Sequence, residues 1–204
     1  KKRSTLNRKS ELMDSIRDCI QQYQYIYVFD LANCRSQHVK DIRAQMSDSR
    51  LFMTKNKVMM KALGEDAESE AADNVHKLTP YLTGLCALMF TNRSTNDVLD
   101  FFAKYEIKDF ARSGSVATES VTIPAGPIEW MPHSMEELLV GLGLPVELKS
   151  GVVHMRYEHV VCKKGETLTP DQCKILKHFG HQLSSFKMIV KCMWSKNEAQ
   201  FTKF

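Results

Sequence analysis

"YIYVF" (residues 25–29) is a run of β-branched and aromatic residues without polar alternation. Such a run suits a strand covered on both faces, because a half-exposed strand shows a polar residue at every second position. It demands an apolar layer above and another below, and the flanking sequence offers both. Upstream, Leu12, Ile16, Cys19, Ile20 and Tyr23 recur at helical spacing, which predicts a helix from Glu11 to Tyr23. Downstream, "SQHVKDIRAQM" (36–46) sets Val39, Ile42 and Met46 on one helical face, with Ser36 placed to cap its start.

The same rhythm continues along the chain. "LFMT" (51–54) reads as a second strand, and "KNKVMMKALG" (55–64) as a helix ending at Gly64. An acidic link leads to "NVHKLTPYL" (74–82), expected as a helix that ends near Pro80. "GLCALMFTN" (84–92) is a third strand. Val98, Phe101, Phe102 and Tyr105 then mark an amphipathic helix, with Ser94 and Asp97 as its capping pair. Strands alternating with helices in this way predict an α/β sandwich.

The character then changes. Five of the six prolines fall within 124–170, and seven of the nine glycines within 114–180. "ESVTIPAG" (119–126) and "GVVHMR" (151–156) read as strands. Capping boxes at Ser134/Glu137 and Thr169/Gln172 predict two helices, the second with Pro170 in its first turn and Gly180 past its end. This is a second, smaller α+β module. "SFKMIVKCMW" (185–194) alternates again, with Phe186, Met188, Val190, Cys192 and Trp194 on one face and Lys187, Ile189, Lys191 and Met193 on the other. Spacing alone leaves open whether this strand pairs within the second module or returns to the first.

Composition narrows the function. An apolar fraction of 43% and a charged fraction of 25% are ordinary for a globular protein. No apolar run approaches the length needed to cross a bilayer, and no signal-like run follows the basic start, so an intracellular setting without a membrane partner is expected. The six cysteines show neither C-x-x-C pairing nor zinc-ligand spacing and read as reduced core thiols. No phosphate-binding loop or nucleophile elbow occurs. His178 and His181 are three apart, but Gly180 breaks the helix between them and argues against a metal site; His154 and His159 flank Glu158 and read as solvated or hydrogen-bonded side chains rather than acid–base groups. Neither an enzyme nor a cofactor is expected.

The charge is segregated. The formal net charge is +4, yet residues 1–64 carry 13 Lys/Arg against 6 Asp/Glu, while residues 65–106 carry 3 against 8. Segregated positive charge attracts polyanions and does little for a fold. The chain opens on "KKRSTLNRKS" (1–10), with five basic residues and no acid. The helix after "LFMT" brings Lys55, Lys57 and Lys61 into two turns, with no acidic residue between Asp48 and Glu65. Lys57 and Lys61, four apart, repel each other by a few tenths of a kcal/mol, roughly. A charged helix face is commonly just solvated. This ridge, however, lacks acidic partners, follows a strand directly and shares the first third of the chain with the basic arm. A helix start also offers backbone N–H groups to a phosphate, flanked here by Lys55 and Asn56. Arg43 and Lys40 on the preceding helix extend the patch. With no aromatic single-strand platform, structured RNA fits this surface better than an unpaired strand.

The stretches "TKNKVMMKALG" (54–64), "GLCALMFTNRS" (84–94), "FARSGSVATESVTIPAGPIEWMPHSMEELLVGLGLPVELKSGVVHM" (110–155), "GETLTPDQCKILKHFG" (165–180) and "FKMIVKCMW" (186–194) closely resemble the universal ribosomal protein L10 family. "PHSMEE" (132–137) resembles its ribosome-assembly branch more than the ribosomal stalk-base proteins themselves. The resemblance covers nearly the whole chain in order. It implies an rRNA-binding α/β sandwich domain (1–110 plus 181–204) with a small α+β domain (111–180) inserted before its last strand. It also implies ribosome biogenesis in the nucleus and nucleolus, with shuttling to the cytoplasm on precursor particles. The chain would bind large-subunit rRNA at the GTPase-associated centre of pre-60S particles, beside neighbouring ribosomal and assembly proteins. There it would hold the stalk-base site until exchanged for the stalk protein. The implied RNA-binding residues are Lys1, Lys2, Arg3, Arg8, Lys9, Lys55, Asn56, Lys57 and Lys61; charge alone adds Arg43. The sequence departs from the family at Thr54, where glycine is common; a positive φ there would strain a threonine.

Two alternatives stand beside this one. A mature stalk-base protein would bind the same RNA but carry a helical spine and an acidic, Phe-containing tail, neither of which lies within residues 1–204. A protein-interaction module would ignore rRNA. For the inserted domain, near-neutral charge favours a protein contact or a steric role over a large RNA footprint.

Overall fold

The computed structural model describes residues 5–204, with the backbone alone for residues 5 and 6. Two compact units emerge: Lys1–Ile107 with Phe186–Phe204, and Lys108–Ser185.

The first unit is built on the strand that "YIYVF" foretells. Helix α1 (Thr5–Gln22) precedes β1 (Tyr25–Ala32), whose residues 26–29 are all buried. Helix α2 (Ser36–Gln45), β2 (Arg50–Phe52), α3 (Asn56–Leu63), a 3-10 helix (Val75–Tyr81), β3 (Cys86–Thr91), α4 (Thr95–Lys104) and β4 (Glu106–Asp109) follow.

The second unit contributes β5 (Val121–Ile123), β6 (Gly126–Pro127), α5 (Glu136–Gly141), β7 (Val146–Lys149), β8 (Val152–Met155), β9 (His159–Cys162) and α6 (Pro170–His178). The chain then forms β10 (Ser184–Ser195) and β11 (Gln200–Lys203).

In the first unit the strands are ordered β11-β10-β1-β3-β2, every pair antiparallel, and β4 also pairs with β10. Strand β10 lies against β1 from Tyr25↔Ser195 to Ala32↔Lys187, with one register shift between Val28 and Phe29. It thereby returns to the first sheet, the question that spacing had left open. Side chains alternate across the sheet and fill two cores. Ile26, Val28, Leu88, Phe90, Cys192 and Trp194 pack under Ile16 and Ile20 of α1 and Met59 and Leu63 of α3. Tyr27, Phe29, Ala87, Met89, Phe186 and Met188 face Val39 and Ile42 of α2 and Val98 and Phe102 of α4. Each fully buried large side chain contributes about 1.5–3 kcal/mol. The result is an α/β sandwich with a central antiparallel sheet.

The second unit has its own core, including Ile123, Leu139, Val146, Val153, Val161, Ile175 and Leu176. Two small antiparallel sheets, β5-β9 and β6-β8-β7, share it.

Several local expectations need correction. The first helix starts at Thr5, ahead of Glu11, since nothing in "TLNRKS" breaks a helix. Ser36 is the first helical residue of α2 rather than its cap; the N-cap is Arg35, whose N–H donates to His38 Nδ1 at 3.3 Å. Ser134 does not cap α5, because it lies inside a 3-10 turn (His133–Met135) and so lacks the extended backbone of a cap. Residues 75–81 form a 3-10 helix with Pro80 inside. The Ser94/Asp97 capping pair forms, with Ser94 Oγ accepting from the Asp97 N–H at 3.2 Å, and the box at Thr169/Gln172 forms with both of its bonds. Strand β11 (Gln200–Lys203) adds an edge strand beyond those that the sequence spacing indicates.

Candidate nucleic-acid interface

Helix α1 packs on α3, and the polar sides of the two helices border a cleft of about 620 Å³. Asn7, Lys9, Ser10 and Met13 line it from α1, and Lys57, Val58 and Lys61 from α3. The structure thus brings Lys9 of the basic arm to the ridge lysines around one opening, with no carboxylate in the lining. All three lysines are exposed. Helical spacing explains the geometry: Lys57 and Lys61 share a face, while Val58, Met59, Ala62 and Leu63 turn inward.

A second cleft, of about 560 Å³, adjoins the strand before α3. Arg43, Ser47, Ser49, Arg50, Met53 and Thr54 line it with Leu12, Leu51 and Phe52, again without a carboxylate. Arg43 is partly committed, since its Nη2 donates to the Leu51 carbonyl at 3.1 Å. Arg50, absent from the sequence-based set, holds its guanidinium 5.8 Å from the Phe52 ring centroid. An isolated arginine at a strand start gave no signal of this. Thr54 is not among the residues at positive φ, so the family's common glycine is replaced here without backbone strain.

The remaining candidates divide. Lys55 is the exposed N-cap of α3, and the first helical N–H groups lie beside it. Arg8 is exposed on α1 but does not line the cleft. Asn56 turns inward: its Nδ2 donates to the Gly84 carbonyl at 2.9 Å, and its Oδ1 accepts from Cys86 Sγ at 3.2 Å. It therefore anchors α3 to the start of β3, leaving its second Nδ2–H and its backbone N–H as the donors that could meet a phosphate. Lys1, Lys2 and Arg3 lie outside the described residues.

Beyond Gly64 the chain folds into a fixed acidic loop. Ala71 N–H donates to the Leu63 carbonyl at 2.9 Å, Asp66 N–H to Ser69 Oγ at 3.2 Å, and Thr79 Oγ1 to the Gly64 carbonyl at 3.0 Å. Glu70 meets His76 Nδ1 at 2.5 Å, which holds the Glu70 carboxyl below its ordinary pKa. Among the described residues no cluster of His, Cys, Asp and Glu is arranged to hold a metal, and no helix is long and apolar enough to cross a membrane.

The chain is a layered α/β unit interrupted in sequence by a smaller α+β unit, and the family comparisons follow this division. Residues 4–106 match the family described as "Ribosomal protein L10", and residues 111–180 match the insertion domain described for the 60S ribosomal protein of that family. The chain belongs to the ribosomal protein L10 family. It is 44% identical to "Ribosome assembly factor mrt4" of Dictyostelium discoideum, over 96% of this chain and 86% of that one. It is 37% identical to the protein of the same name from Neurospora crassa, over 96% of this chain and 84% of that one. "Large ribosomal subunit protein uL10" of Methanothermobacter thermautotrophicus is 25% identical, over 82% of this chain but 50% of its own length. These are names of assembly factors and a ribosomal protein; none is that of an enzyme.

Proposed function

We propose that this chain is a ribosome biogenesis factor of the large subunit. It binds large-subunit rRNA at the GTPase-associated centre of pre-60S particles and holds the stalk-base site until the stalk protein replaces it. The observation that carries the RNA part is the convergence of Lys9, Lys57 and Lys61 on one cleft without a carboxylate in its lining. Ammonium groups converging without counter-charges suit a run of phosphates. Lys55, Arg8 and Arg43 extend this track, and Asn56 positions the helix that carries it. Lys1, Lys2 and Arg3 are proposed to add to it from the chain's start. The inserted unit, Lys108–Ser185, acts as a separate domain through a protein contact or by occupying space.

Assembly rather than mature ribosomal function is favoured by identity. The relatives named as assembly factors match at 44% and 37% over most of their length, the archaeal uL10 at 25% over half of its own. The setting that follows is nuclear and nucleolar. Crosslinking the protein to RNA in cells and sequencing the attached fragments tests the reading. Crosslinks concentrated in the GTPase-associated segment of precursor rRNA are expected. Crosslinks spread over unrelated RNAs would refute it.

A further inference from the structure

The cationic cleft between α1 and α3 continues, past Met13 and Lys61, into a smaller one of about 380 Å³ lined by Arg17, Gly64, Glu65, Asp66 and Ser69. Met13 and Lys61 line both, so the two clefts adjoin, and carboxylates enter only the smaller, beside Arg17, whose guanidinium donates to the Ala62 and Lys61 carbonyls at 3.5 Å. At one end stand Lys9 and Lys57, at the other Glu65 and Asp66, both exposed. Among the described residues neither carboxylate forms an ion pair within 4.0 Å, and both line the smaller cleft.

This rim is built into the fold rather than carried on a loose linker. Gly64, at φ 102°, packs so tightly that an added Cβ would come 2.3 Å from the Glu70 Cα. The Ala71–Leu63, Asp66–Ser69 and Thr79–Gly64 hydrogen bonds close the loop on both sides of the two acids.

We propose that Glu65 and Asp66 form a fixed anionic stop that ends the phosphate track where the two clefts adjoin. This rests on the RNA-binding function proposed above and deepens it. A regular duplex laid along both clefts would bring phosphates against the two carboxylates. A folded RNA that turns away after Lys61 would not. Like-charge contact discriminates by penalising the wrong partner rather than by tightening the right one. Glu65 and Asp66 are thereby specificity determinants, and their removal relaxes choice more than it changes affinity for the cognate RNA.

The test compares the wild-type chain with Glu65→Gln/Asp66→Asn, near-isosteric changes at exposed positions. The probes are the isolated GTPase-associated rRNA fragment and an unrelated RNA duplex of equal length. A control, Glu68→Gln/Asp73→Asn, removes two exposed charges of the same loop that do not line the smaller cleft. The first variant should bind the duplex about three- to tenfold more tightly, with the salt slope steeper by about 1 for each additional phosphate neutralised. Its affinity for the rRNA fragment should change less than twofold, and the control should match the wild type on both probes. Equal increases in both variants would reduce the effect to net charge and overturn the proposal. So would unchanged duplex binding by the first variant, or an equal increase on both probes. A wild type that binds neither RNA would instead overturn the function on which the proposal rests, and the proposal with it.

Discussion

Asn56 Nδ2 donates to the carbonyl of Gly84 across 28 positions of sequence, at 2.9 Å, and so fixes the start of the lysine helix to the start of β3. A residue that its place at the helix start and the family resemblance mark as an RNA contact is, by its side chain, part of the scaffold. Asn56→Ala removes this bond and the one from Cys86, and should lower stability by about 1–2 kcal/mol in urea unfolding. Under conditions where both proteins stay folded, RNA affinity should fall less than it does in Lys57→Glu. A larger loss in Asn56→Ala would make its side chain a direct contact.

Gly64 combines a positive φ with near-contact against Glu70, and its backbone joins α3 to the acidic loop. Gly64→Ala should cost more than 2 kcal/mol, roughly, well above the usual cost of an alanine at a surface glycine. Thermal unfolding by circular dichroism reads this directly. A change below about 0.5 kcal/mol would mean that the loop does not pack as described.

Burial pushes the Cys192 thiol up to about 12, in line with a core cysteine that is closed to reagents. Cys34 and Cys173 are only half-buried. Alkylation at pH 8 followed by mass spectrometry should label Cys34 and Cys173 first, and Cys192 only as the protein unfolds. Labelling of Cys192 at the same rate as Cys34 would contradict the packing of β10 on β1.

The Glu70 carboxyl is held below its ordinary value of 4.5, chiefly by its hydrogen bond to His76. A carboxyl depressed on folding stabilises the native state at pH above that ordinary value. The contribution fades as pH falls through the lower, folded-state pKa. The stability gap between wild type and Glu70→Gln should therefore be largest near neutrality and shrink below pH 4.5. A gap constant from neutrality down to pH 3, roughly, would show that the contact does not depend on charge.

The legible parts of the fold were those in which neighbouring residues speak for one environment. "YIYVF" announced a strand covered on both faces, and Tyr27 to Phe29 are wholly buried. Thr169 with Pro170 and Gln172 announced α6 through chemistry contained in one turn. Ser134 and Glu137 spell a similar signal, yet the preceding 3-10 turn draws Ser134 into helical backbone, an outcome decided by how the chain approaches. Residues 75–81 carry helical spacing, but Pro80 has no N–H to give an α-helical bond. In the candidate interface, charge and spacing marked Lys57 and Lys61, and resemblance marked Asn56 as a contact. The anchoring role of the Asn56 side chain and the place of Arg50 in the second cleft were illegible for different reasons. The partner of Asn56 is distant in sequence, and Arg50 joins the second cleft only through the packing of β2 against β3.

The central claim is that the face bearing Lys55, Lys57 and Lys61 binds the GTPase-associated rRNA. The direct measurement is the affinity of the isolated rRNA fragment at several salt concentrations, for the wild type and for a folded Lys55→Glu/Lys57→Glu/Lys61→Glu variant. With about five phosphates neutralised, log K for the wild type should fall against log salt with a slope of roughly −3.5 to −4.5. The variant should lose most of the binding. Equal affinity in the two proteins, or an affinity indifferent to salt, would contradict it.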